Sequence, residues 1–405
     1  MDDEISTQTT PASEQSASPP PVSSLRELID RVSGRGLRLP NAEVDSGIAD
    51  VLPFPFLALV GQEDMKLALM LALVNPAVGG VLLIGPRGTG KTTAVRSLVD
   101  LLPDVPRSLC YYGCMPEDIE AGGIDAVCPD CARKYAQGEP LTRMDRVRLV
   151  ELPLNAHLEN VVGGLDERAA LHDRLRLRRG LLSQADRNIL YIDEINLLDN
   201  EIIDAILDAA AQGTYTVRRG PVSATYRARF ILIGSMNPEE GQLRPQILDR
   251  LGLRVIVRGL TNPDERLEAY RRVQAYLTNP HRVIAGYMAE TAILQTEIQS
   301  ARELLPKVTL PDEIAVLGLK LIERLKIDSL RAEITLFEAA RAYAAADARI
   351  EVTPSDLREI ASLAVRARRS GFMSEFFASQ QVEEDEINAI IGKVLPESLA
   401  TEEQP

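Results

Sequence analysis

Eight consecutive residues, Gly85-Pro86-Arg87-Gly88-Thr89-Gly90-Lys91-Thr92, constrain this chain more than any other stretch. They fit the pattern G-x-x-x-x-G-K-[ST] and follow a continuous apolar run, Val81-Leu-Leu-Ile84. The residues after them predict a helix from about Lys91 to Leu102. A buried strand, a glycine-rich turn and a helix N-terminus together form a phosphate cradle, because backbone N–H groups can converge on an anion there. Lys91 is expected to reach the β- and γ-phosphates of a nucleotide, and Thr92 to ligate its Mg²⁺.

The flanking pattern extends this unit into a domain. Ile189-Leu-Tyr-Ile192, Phe230-Ile-Leu-Ile233 and Val255-Ile-Val257 are further apolar runs of strand length, with another strand near 149–152. Asp199 to Ala211 reads as a helix with Ile202, Ile203, Ile206 and Leu207 on one face, and 214–219 with 222–227 as a hairpin around Gly220-Pro221. Apolar strands alternating with helices predict an α/β fold with a parallel sheet covered on both faces. After Pro263 only helical periodicity remains, over 264–304, 312–326, 331–348 and 354–369, which predicts an all-helical lid domain over 263–375. The α/β core is expected over 25–262, beginning with a short helix near Leu25 and carrying an insertion at about 104–148. Residues 1–24, rich in Ser, Thr and Pro, are expected to be disordered, and 376–405 to form an acidic mobile tail.

Asp193 and Glu194 close the strand 189–192, where an open α/β sheet faces its nucleotide. Asp193 is expected to hold Mg²⁺ and Glu194 to polarise the attacking water, which implies hydrolysis. Asn237 ends the strand after Phe230 and is expected to orient that water; ordinary turn chemistry in Asn237-Pro238 is the competing reading.

These residues resemble a family. Val60-Gly-Gln-Glu-Asp64, the phosphate loop, Asp193-Glu-Ile-Asn-Leu-Leu198 and Asn237-Pro-Glu-Glu-Gly241 look like an AAA+ ATPase, and more narrowly like the I-type ATPase subunit of magnesium chelatase. Leu152-Pro-Leu-Asn155, Val161-Val-Gly-Gly164, Leu243-Arg-Pro-Gln-Ile-Leu-Asp-Arg250, Glu303-Leu-Leu-Pro306 and Ser329-Leu-Arg-Ala-Glu-Ile-Thr-Leu336 continue the match over about 55–370. The resemblance implies a ring of identical subunits, six by expectation, using ATP and Mg²⁺ to drive Mg²⁺ insertion into protoporphyrin IX for chlorophyll or bacteriochlorophyll synthesis. It implies D-type and H-type partner subunits. It places an arginine finger at Arg250, acting on a neighbour's nucleotide, and a second-sensor arginine at Arg331. The chain departs from the family at Pro86, Leu251 and Arg254, where Asp, Phe and His are common. A cobalt chelatase, another AAA+ remodelling machine and a sensor with an ATP switch remain alternatives.

Composition narrows the partners. Lys and Arg number 45 against 59 Asp and Glu, a net charge of −14, and only 4% of residues are aromatic with no Trp, so neither nucleic acid nor an anionic membrane is the expected partner. No apolar run reaches the roughly 20 residues of a membrane span. The N-terminus lacks the marks of a leader, and four cysteines are too few for a disulfide scaffold, so a cytoplasmic protein is expected. All four, Cys110, Cys114, Cys128 and Cys131, fall in the insertion as C-x₃-C, thirteen residues, then C-x₂-C. That spacing is expected to hold a structural Zn²⁺. Redox disulfides, an iron–sulfur cluster and free thiols are the alternatives. The arginines and leucines of 165–187 read as a solvated face over a core stripe, or as a contact element toward a partner.

Overall fold

Val81–Ile84 (β1) is apolar throughout because both of its faces are covered. Leu149–Leu152 (β2), Ile189–Ile192 (β3), Ile231–Met236 (β4) and Leu253–Ile256 (β5) complete a sheet in the order β5-β1-β4-β3-β2, every neighbouring pair parallel. Val81 pairs with Ile233 on one side and Leu253 on the other, and Ile189 with Ile231 and Leu149. Alternate residues therefore serve opposite cores: Leu83, Tyr191 and Ile233 enter one, Leu82, Leu190 and Leu232 the other. The computed structural model describes residues 52–165, 177–241 and 243–368. The two expected tails, the helix near Leu25 and the 166–176 part of the arginine-rich insert lie outside them.

The first core is covered by Glu63–Val74 (α1) and Lys91–Ser97 (α2), the latter tightening into a 3₁₀ turn as far as Leu101. The insertion carries Pro116–Gly122 (α3). Asn200–Gln212 (α4) buries Ile202, Ile203, Ile206 and Leu207 against the second core, followed by the short Pro245–Arg250 (α5). The hairpin Thr214–Arg219/Val222–Arg227 has the predicted bounds, with Gly220 at φ +57° in its turn.

The run read as one helix over 264–304 is two, Pro263–Thr278 (α6) and Pro280–Leu304 (α7). Pro280 has no N–H to continue the first, and the Asn279 side chain caps the second by accepting from the Arg282 amide. Asp312–Arg324 (α8), Leu330–Ala346 (α9) and Pro354–Val365 (α10) follow. These helices share the first core instead of closing one of their own. Ala332, Ala339 and Ala340 of α9 are buried in the same cluster as Met65 and Leu69 of α1. Small side chains on α9 let these helices approach closely, so the helical set is anchored directly behind the phosphate loop.

Candidate functional site

Because β1, β4 and β3 are parallel neighbours, the segments leaving their carboxyl ends converge on one crevice. A side chain at Gly85 would put its Cβ 2.1 Å from the Val257 carbonyl oxygen, so only glycine lets the loop pass β5. Gly88 and Gly90 hold φ of +77° and +85°, the left-handed region that glycine enters without steric cost. The loop thus curls around a cavity of about 490 Å³, lined by Arg87 to Thr93, Asp193, Glu194, Ser235, Met236 and Asn237.

Lys91, only 9% exposed, donates from Nζ to the carbonyls of Gly85 and Pro86, both at 2.7 Å. Burial pulls its pKa down, while Asp193, Glu194 and Glu240 oppose the fall. The ammonium is parked on its own loop, where phosphate oxygens would compete for it. Lys91→Ala should weaken ATP binding about 10- to 100-fold, since a charge-assisted hydrogen bond contributes about 1.5–3 kcal/mol. Titration with a fluorescent ATP analogue checks this; unchanged affinity would leave Lys91 a loop strut only.

Thr92 Oγ1 lies 3.4 Å from Asp193 Oδ2 and 3.1 Å from the Tyr191 hydroxyl. Tyr191 donates to Asp193 Oδ1 at 2.9 Å, and Ser235 donates to the same oxygen. Neither Tyr191 nor Ser235 stands out in the sequence. Tyr191, two residues before Asp193 on a period-two strand, offers the only signal. Burial raises the Tyr191 pKa, so its hydroxyl stays a neutral donor that aims the carboxylate at Thr92. A hydroxyl facing an aimed carboxylate is a donor set that fits hydrated Mg²⁺.

Glu194 sits at φ +51°, a left-handed conformation unusual outside glycine, and its amide donates to Ser235 Oγ at 3.2 Å. That turn aims the carboxylate at Arg87, whose Nη2 is 2.9 Å from Glu194 Oε1 and whose Nε is 2.7 Å from Glu240 Oε1. These two carboxylates raise the pKa of the exposed Arg87. The buried Asn237 lines the cavity, but its amide also performs turn chemistry, accepting from the Glu239 amide at 3.3 Å and donating to Glu240 Oε1 at 3.2 Å. An adjoining hollow shares Gly88, Thr89, Gly90 and Thr93 and is walled by Leu59, Met65, Leu260 and Val273, with Gln62 and Arg266 at its polar edge. An apolar slot beside a phosphate loop suits a nucleobase.

Arg250 and Arg331 do not line this cavity. Arg250, partly exposed at the end of α5, pairs with Asp208 at 2.8 Å and Asp204 at 3.6 Å. Its neighbour Asp249 is held by residues that flank two helices of the lid, the N-cap of α9 and the segment after α10. Ser329 donates to Asp249 Oδ1 at 2.6 Å, and the buried Arg368 reaches the same oxygen at 2.9 Å and the carbonyls of Leu251 and Gly252. Arg331 lies two residues from Ser329, exposed on the first turn of α9. The lid is therefore bolted to the short helix that carries Arg250.

The four cysteines also meet. Their sulfurs all lie within 4.8 Å of one another, with Cys110 Sγ 3.8 Å from Cys114 and 3.5 Å from Cys128, and no disulfide joins them. Backbone amides of Tyr112 and Cys128 point at the sulfurs of Cys110 and Cys114, both at 3.3 Å. Burial pushes the Cys114 thiol up to about 12 and raises Cys131 as well. Burial acts the same way on Cys110, but hydrogen bonds from the Tyr112 amide and from the thiols of Cys128 and Cys131 outweigh it and leave Cys110 low.

A phosphate loop after β1, an acidic pair after β3, an amide after β4 and a helical set behind the loop define an AAA-type P-loop ATPase. The AAA domain family matches residues 78–240, and the AAA lid domain family 320–390. The chain is 44% identical to the magnesium-chelatase 38 kDa subunit of Acidiphilium rubrum over 82% of its length and 95% of that protein. It is also 44% identical to a magnesium-chelatase subunit ChlI homolog of Methanocaldococcus jannaschii, over 79% of this chain and 87% of the other. A solved assembly of the magnesium-chelatase subunits BchI and BchD aligns at 39% identity over 79% of this chain and 97% of that one, with a TM-score of 0.46. This chain belongs to the family of magnesium-chelatase I subunits, which are AAA+ ATPases.

Proposed function

We propose that this chain hydrolyses MgATP to drive insertion of Mg²⁺ into protoporphyrin IX, in a pathway leading to chlorophyll or bacteriochlorophyll. The observation that carries the reading is the gathering of Lys91, Thr92, Asp193 and Glu194 around one cavity in a member of this family. Gly85, Pro86, Arg87, Gly88, Thr89 and Gly90 form the phosphate cradle. Lys91 neutralises the β- and γ-phosphates, and Thr92 and Asp193 hold Mg²⁺. Glu194 polarises the lytic water, which Asn237 orients. Arg250 completes a neighbour's site, and Arg331 reports on the nucleotide through the lid. The working unit is a ring of six copies with D-type and H-type partners, in the cytoplasm. Among the described residues no helix is long and apolar enough to cross a membrane. The α/β core ends near 262, and the helices between Pro263 and Val365 act as the lid.

A structural Zn²⁺ on Cys110, Cys114, Cys128 and Cys131 belongs to the same reading. Four sulfurs at about 2.3 Å from a tetrahedral ion stand about 3.8 Å apart, close to the 3.5 and 3.8 Å seen. Four thiolates leave no open position, so this ion would be structural.

Reconstitution tests the main reading. Purified chain, D-type and H-type subunits, porphyrin, Mg²⁺ and ATP are mixed, and metallation is followed by absorbance. ATP-dependent metallation that vanishes with Lys91→Ala is expected. Insertion of Co²⁺ with cobalt-chelatase partners, and none of Mg²⁺, would transfer the motor to that machine.

A further inference from the structure

The insertion bearing the cysteines has almost no apolar core. Its buried cluster is Cys114, Val127, Cys128, Cys131 and Leu141, and α3 buries no residue. Yet this small body touches three other parts of the molecule at once. Gly113, inside the C-x₃-C turn at φ +70°, lies flat against the guanidinium of Arg179; a Cβ there would sit 1.4 Å from Nη1. Arg179 ends the strand Leu177–Arg179, the return arm of the hairpin begun at Gly163–Leu165, and donates to the Ser183 carbonyl at 2.7 Å. From α3, three residues past Cys114, Glu117 pairs with Arg187, with Arg227 at 3.3 Å and with Arg229 at 3.7 Å. Asp118 pairs with Arg227 at 2.9 Å.

Arg227 ends the second hairpin, while Arg187 and Arg229 each stand two residues before a strand of the central sheet, β3 and β4. Arg187 is itself held at φ +64°, and its amide donates to the Arg229 carbonyl at 2.6 Å. One carboxylate, Glu117, thus ties together the roots of the two strands whose far ends carry Asp193 and Asn237. The adjacent Asp118 fixes the second hairpin, and Gly113 fixes the first. Half-exposed ion pairs of this kind contribute little singly, and a network of them stabilises the fold only when its members are held in place. What holds Glu117, Asp118 and Gly113 in place is the fold of the insertion, and three of the five buried residues of its cluster are cysteines, with Cys110 packed against them.

Resting on the zinc reading above, we propose that the four-cysteine Zn²⁺ centre is the keystone of a bracket that fixes both hairpins and the roots of β3 and β4. Binding of the ion supplies the folding free energy that the small apolar cluster lacks. The phosphate loop leaves the opposite ends of the strands, so loss of the ion should loosen the hairpins and spare nucleotide binding.

The experiment compares metal content and amide hydrogen exchange in the full chain. The proteins are the parent chain, the parent stripped of metal by mercurial titration of its thiols, Cys128→Ser/Cys131→Ser and Glu117→Gln/Asp118→Asn. About one zinc per chain is expected in the parent and in Glu117→Gln/Asp118→Asn, and none in the cysteine variant. Exchange at 177–184 and 214–227 should quicken about tenfold or more in every altered form, with exchange at 91–97 unchanged. Metal-free parent protein with four titratable thiols would overturn the zinc reading, and the bracket with it. Zinc-loaded parent whose hairpins exchange equally with and without the ion would overturn the bracket alone. Should the cysteine variant fail to fold, the Glu117→Gln/Asp118→Asn protein still decides: zinc retained with unchanged hairpin exchange refutes the bracket.

Discussion

Glu194→Gln should bind MgATP as tightly as the parent chain and hydrolyse it about 10²- to 10⁴-fold more slowly, the usual contribution of a positioned general base. Glutamine keeps the volume, the left-handed turn and the amide bond to Ser235 Oγ, so the cavity retains its shape. What it loses is the carboxylate to which the proposed function assigns the proton of the attacking water. In this structure that carboxylate is engaged by Arg87 at 2.9 Å, a contact with a highly exposed guanidinium. The pairing is cheap to break, and an incoming γ-phosphate would draw Arg87 away and release Glu194 toward the water. Single-turnover hydrolysis, set beside equilibrium binding of the same nucleotide, separates the two effects. A parent-like rate in Glu194→Gln would remove Glu194 from the chemistry and leave it an anchor for Arg87.

The parts of the site carried by short runs were readable in advance. The glycine spacing of 85–92, the acid pair closing 189–192, the hairpin bounds and the cysteine spacing each depend on a local pattern of residue types, and each stands where expected. The parts built across the fold were not. Tyr191 and Ser235 become partners of Asp193 only because β3 and β4 pair in one particular register. Arg368 reads as one charge among many near the end of the helical region, and its burial against Asp249 follows only from the docking of α10 on β5. The break at Asn279-Pro280 was legible but masked by helical periodicity that continues on both sides of it. The competing reading of Asn237 also proved real: the amide lines the cavity and caps its own turn.

Two inactive variants, Glu194→Gln and Arg250→Ala, should regain activity when mixed. Arg250 does not line the cavity of its own chain, and its guanidinium rests on Asp204 and Asp208 of α4 at the surface. Exposed pairs of that sort are worth about 0–1 kcal/mol, so they do not prevent the side chain from turning to a phosphate. Its backbone, by contrast, is firmly placed, since Asp249 beside it is gripped by Ser329 and by the buried Arg368. A mobile cation on a fixed helix end, outside its own site, is what a group acting on an adjacent subunit requires. Such an arginine contributes about 10³- to 10⁵-fold to phosphoryl transfer, so Arg250→Ala alone should be nearly inactive. In a ring where each site combines one chain's Glu194 with the next chain's Arg250, random equal mixing rebuilds about one site in four. A steady-state assay of the mixture should therefore recover about a quarter of the parent rate, with energy transfer between labelled subunits showing that mixed rings have formed. If mixed rings form and no activity returns, Arg250 acts within its own chain or not at all.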